Sequence, residues 1–94
     1  MSISFDRKLR ISPETLINMI EDESVLLNLK SESYYGLDQM GTVMWAALTS
    51  SDSIQAAYDK LLHDYDVEPG TLRADLNALI DKLVDKGLLE VSGE

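Results

Sequence analysis

Apolar positions first fall in short stretches between polar turns and then, from Asp38 onward, recur at helical spacing. This change of period divides the chain into a strand-like front third and a helical remainder. The clusters Glu21-Asp22-Glu23-Ser24 and Lys30-Ser31-Glu32-Ser33 separate three stretches, Thr15 to Ile20, Val25 to Leu29 and Tyr34 to Leu37. That spacing predicts three antiparallel strands joined by tight turns. In the first strand Leu16, Ile17, Met19 and Ile20 break strict alternation, whereas the second sets Val25, Leu27 and Leu29 on one side and Leu26 and Asn28 on the other. Residues 1–13 read as an irregular arm, because Phe5, Leu9 and Ile11 sit among charges and Pro13 interrupts any strand; a short strand near Leu9 to Ile11 is the one regular element it would hold.

Asp38 is suited to cap a helix over residues 38–48, along which Met40, Met44, Ala47 and Leu48 recur at helical spacing before Thr49-Ser50-Ser51. Asp52 to Gln55 has capping-box form, with Asp52 in the capping role, and opens a second helix whose stripe is Ile54, Ala57, Tyr58, Leu61, Leu62 and Tyr65. Pro69 suits the first position of a third and longest helix, in which Leu72, Leu76, Leu79, Ile80, Leu83 and Val84 form one face until Gly87 stops it. Leu88 to Val91 would return as a short extended segment. The expected architecture is one α+β domain over residues 1–94, winged-helix-like, with a three-stranded antiparallel sheet followed by three helices. Its expected core is Leu27, Leu37, Met44, Trp45, Leu48, Ile54, Tyr58, Leu61, Leu72 and Leu83.

Composition narrows the chemistry. The 94 residues are 45% hydrophobic and carry a net charge of −9, from 8 basic and 17 acidic side chains. That is enough apolar content for a core, and a charge that repels nucleic acid. There is no cysteine, which removes disulfides, thiolate metal sites and a cysteine nucleophile and suits a cytoplasmic protein. The longest apolar run, Val43 to Leu48, is far short of a membrane span, and the charged start of the chain is unlike an export signal.

His63 is the lone histidine and falls off the apolar stripe of its helix, so it reads as solvated and no catalytic triad can be assembled around it. Glu21-Asp22-Glu23 lacks the spacing of a calcium loop and reads as a solvated turn; no metal is expected. The five glycines are scattered singly, so there is no phosphate loop and no cofactor is expected. On the third helix Arg73, Lys82 and Lys86 are balanced by Asp75, Asp81 and Asp85, which leaves no basic footprint for reading DNA as a winged-helix regulator would.

What remains is an edge. Between Ser33 and Leu37 the third strand carries neither charge nor proline, the usual protections of an exposed sheet margin. Such a margin can take an extended peptide as an added strand, or can pair with a second copy of the chain.

The run Tyr34-Tyr35-Gly36-Leu37-Asp38, the helix segment Val43-Met44-Trp45-Ala46-Ala47-Leu48, the segment Tyr65-Asp66-Val67 and the stretch Leu79 to Leu89 together resemble the PqqD-like family over about residues 14–91. Asp38 stands where that family usually has asparagine, a change that keeps the capping chemistry. The resemblance implies a non-catalytic recognition element for ribosomally made, post-translationally modified peptides, closest to the discrete leader-binding protein of lasso-peptide biosynthesis. It implies that the leader of a precursor lies along the third strand in a groove completed by the last helix, and is then delivered to a cysteine-protease-like leader peptidase and an ATP-dependent cyclase. An alternative role in the same family is a PqqD-type chaperone that presents its peptide to a radical-SAM enzyme. The peptide-binding residues expected on this basis are Ser33, Tyr34, Tyr35, Gly36 and Leu37 on the strand and Asp75, Leu76, Leu79 and Lys82 on the helix. Asp75, Leu79 and Lys82 lie on one flank of that helix and Arg73, Ile80 and Val84 on the other, and spacing alone leaves open which flank faces the strand.

Overall fold

A computed structural model describes residues 3–92; Met1 and Ser2 of the arm, together with Gly93 and Glu94, lie outside the described residues. The elements are β1 (Lys8–Ile11), β2 (Thr15–Ile20), β3 (Glu23–Asn28), β4 (Tyr34–Leu37), α1 (Gln39–Ser50), α2 (Ile54–Asp64), α3 (Pro69–Asp85) and β5 (Leu89–Ser92). The α+β class and the antiparallel sheet β2-β3-β4 followed by three helices agree with the pattern of the sequence. The arm contributes β1, which pairs with β5 in a separate two-stranded sheet from Lys8 opposite Ser92 to Ile11 opposite Leu89. Arg10 and Glu90 are partners in that register and form an ion pair at 2.7 Å.

Helix ends follow local chemistry. Asp38 caps α1 by accepting from the Gly41 N–H at 2.8 Å. For α2 the cap is Ser53, which accepts from the Ala56 N–H at 3.0 Å, and Asp52 lies outside the helix. The next orphan donors of α2 are taken by the arm, since Ile54 N–H donates to the Arg7 carbonyl (2.9 Å) and Gln55 N–H to that of Phe5 (2.7 Å). Pro69 begins α3, and Gly87 ends it at φ +72°, with Leu88 N–H donating back to the Leu83 carbonyl at 2.9 Å.

The core runs between the helices and the inner face of the sheet, and includes Leu37, Met44, Trp45, Leu48, Ile54, Leu61, Leu72 and Leu83 as expected from periodicity. Tyr58 is half-buried at its margin, and Met40 is exposed. The faces of β3 are the reverse of the expected assignment. Leu26 is fully buried together with Ser24 and Asn28, while Leu27 and Val25 are half-buried on the outer face and Leu29 is exposed. The reason is polar. Ser24 Oγ bonds Thr42 Oγ1 of α1 at 2.8 Å and Asn28 bonds the end of α3, so two small polar groups find buried partners and take Leu26 inward with them.

Candidate peptide-binding groove

The hydrogen-bond parity of β4 decides which of its groups are free. Asn28 N–H donates to the Ser33 carbonyl at 2.8 Å, and in an antiparallel ladder alternate residues direct both backbone groups to the same side. Ser33, Tyr35 and Leu37 therefore face β3, and Tyr34 and Gly36 direct their N–H and C=O groups to the open margin, since among the described residues β3 is the only strand paired with β4. Tyr34 is 71% exposed. Gly36 is exposed, its φ is ordinary, and a Cβ added there would meet nothing within 4 Å. Beside it a hollow of about 270 Å³ is bounded by Ile20, Val25, Gly36 and Leu37, with Glu23 and Asp38 at its rim.

One side of α3 packs against the arm, and the residue that follows the helix reaches β4. Arg73 stacks its guanidinium 4.0 Å from the Phe5 ring centroid, and Ile80, Lys82 and Val84 line an open cleft of about 940 Å³ with Ile3 and Arg7 of the arm and Val91 of β5. The series Asp75, Leu79 and Lys82 is continued at helical spacing by Lys86, whose ammonium lies 5.9 Å from the ring centroid of Tyr35. Asp75 and Lys82 are exposed there; Leu79 is 8% exposed and Leu76 fully buried, so both belong to the core, as does Leu37. Of the α3 residues expected to bind peptide, Asp75 and Lys82 are thus exposed, Lys82 on the arm-side cleft, and Leu76 and Leu79 are core. Lys86 was not singled out from the sequence, although its spacing from Lys82 carried the signal.

A second open margin was also missed. Leu29 N–H donates to the Glu14 carbonyl at 2.8 Å, and the same parity leaves the backbone groups of Ile17 and Met19 directed away from β3 along β2. Ile17 and Met19 are exposed, and β2 meets the segment after α3 at its start, where Thr15 Oγ1 donates to the Leu88 carbonyl at 3.1 Å.

His63 is exposed with Nδ1 3.1 Å from Asp64 Oδ1, and the hydrogen bonds from His63 and Lys60 hold the Asp64 carboxyl below its ordinary value. Among the described residues no cluster of three or more histidine or acidic side chains could hold a metal, and no helix is long and apolar enough to cross a membrane.

The family described as coenzyme PQQ synthesis protein D (PqqD) matches residues 23–89, and the chain belongs to that family. It is similar to TbiB1, solved in complex with the TbiA(beta) leader peptide, with 32% identity, a TM-score of 0.79, and 90% of this chain and 99% of that one covered. A lasso peptide synthetase B1, complexed with the leader peptide, shares its fold at 24% identity and a TM-score of 0.76, over 88% of this chain and 98% of that one. No curated protein matches the chain.

Proposed function

We propose that this protein binds the leader segment of a ribosomally made precursor peptide by adding it as a strand to the free margin of β4, beside the Asp75, Leu79, Lys82 and Lys86 flank of α3. The observation that carries this reading is the unpaired backbone of Tyr34 and Gly36 in the strand that Lys86 reaches. The 32% identity to TbiB1, itself solved with a leader peptide, supports it. The chain makes and breaks no bond in this reading. It delivers the bound precursor to a leader peptidase, and a cyclase acts afterwards. The PqqD-type role, presentation of a peptide to a radical-SAM enzyme, uses the same groove and differs in the enzyme that follows.

The energetics are adequate. Two N–H and two C=O groups at about 0.5–1.5 kcal/mol net each, with two or three apolar anchors at about 1.5–3 kcal/mol each, are offset by about 2–5 kcal/mol for ordering the peptide. Micromolar binding requires about 8 kcal/mol to remain, which lies within the range these contributions span.

The test is a fluorescence-polarisation titration with the labelled TbiA(beta) leader peptide, with which the 32% identical TbiB1 was solved, against the native chain, Gly36→Pro and Ile17→Pro. Proline at 36 removes an outward N–H while leaving the β3 ladder intact, and proline at 17 does the same on the β2 margin. Gly36→Pro should weaken binding at least about tenfold, the equivalent of about 1.4 kcal/mol, and Ile17→Pro should leave it unchanged. Equal binding by the native chain and Gly36→Pro would refute strand addition at β4.

A further inference from the structure

The end of β3, the turn into β4 and the residues that close α3 meet at one side chain. Asn28, 7% exposed, ends β3, and its Nδ2 donates to the Gly87 carbonyl at 2.9 Å and toward that of Lys86 at 3.4 Å. Its Oδ1 accepts from the N–H groups of Lys30 (2.9 Å) and Ser31 (3.1 Å) in the turn that leads into β4. Its own backbone closes that turn, with Glu32 N–H donating to its carbonyl at 2.7 Å and its N–H donating to Ser33 at 2.8 Å. The fit at the helix end is close, because a Cβ on Gly87 would lie 2.8 Å from Asn28 Nδ2. Immediately beyond, Lys86 reaches over Tyr35.

We infer that Asn28 is a positioning residue for peptide docking, its amide fixing where the β4 margin stands relative to α3. The inference rests on the groove being the peptide site. An added strand must lie about 4.8 Å from β4 to form its ladder and must also touch the α3 flank. Apolar contacts between sheet and helix tolerate sliding, whereas a buried hydrogen bond has a set length and direction, so this amide holds the groove at the width that a strand requires before the peptide arrives.

Two variants separate the halves of the amide. Asn28→Asp keeps an acceptor for Lys30 and Ser31 but, ionised, has nothing to donate to Gly87; Asn28→Ala loses both. The charged residues bonded to position 28 through their backbones are Lys30, Glu32 and Lys86, and the same charges surround it in the native chain. Affinity for the labelled leader peptide is measured at pH 8 and pH 5.5, with the folded fraction of each variant fixed by circular dichroism. Both variants should bind about tenfold more weakly than the native chain at pH 8. At pH 5.5 the Asn28→Asp deficit should shrink as the buried carboxyl gains a proton to donate, and the Asn28→Ala deficit should not. Native-like binding by Asn28→Asp at pH 8, the same Asn28→Asp deficit at both pH values, or a loss that follows the unfolded fraction would overturn the role of Asn28 alone. Failure of the native chain to bind would instead overturn the reading of the groove, and this inference with it.

Discussion

Arg73 and Glu21 show how single residues outside the β4 margin raise or lower the stability of the fold. The Arg73 guanidinium lies 4.0 Å from the Phe5 ring centroid and 5.8 Å from that of Tyr58, and the two rings meet edge to face at 5.8 Å. Arg73→Ala should therefore lower stability in urea unfolding by about 0.5–2 kcal/mol and leave leader affinity unchanged, because the contact is with the arm and α2 and not with β4. Glu21, first in the β2–β3 turn, has φ +59°, where a side chain is strained and glycine is not. Glu21→Gly should raise the unfolding free energy by up to about 1 kcal/mol, read from the same denaturation midpoint. At this scale the sequence misleads where a polar residue is buried. The odd positions of β3, Val25, Leu27 and Leu29, look like the core face; the even face is inside because Thr42 and Gly87, remote in the chain, supply partners for Ser24 and Asn28. No count of apolar residues contains those partners.

Elements were more legible than residues. The three strands of the main sheet, the three helices, Asp38 as a cap, Pro69 as a start and Gly87 as a stop all follow from local signals whose chemistry acts within one turn. The start of α2 does not. Asp52 and Ser53 are both good capping residues, and the choice falls on Ser53 because the arm sets its Arg7 and Phe5 carbonyls against the next two N–H groups of the helix. Ser53→Ala should cost about 1 kcal/mol in thermal or urea unfolding and Asp52→Ala clearly less. The groove was legible in the same proportion. An unprotected strand and the helix beside it could be read from the residue pattern. How the sides of α3 are used depends on long-range packing, such as that of Arg73 on Phe5 of the arm, which one helix's periodicity cannot encode.

For the whole molecule, charge and connectivity matter most. A net charge of −9 and a third helix with balanced charges leave no surface for counterion release, so duplex DNA should show no retardation in a gel-shift titration at physiological salt. A shift at low micromolar protein would revive the regulator reading. The pairing of β1 with β5 sets Lys8 directly opposite Ser92, so the two ends of the described chain leave from one place, in a sheet of their own apart from the β2-β3-β4 sheet that carries the β4 margin. A flexible linker could join Lys8 to Ser92 and an opening be cut between Glu21 and Asp22, giving a circular permutant that keeps the β3–β4 pairing and should still grip its peptide.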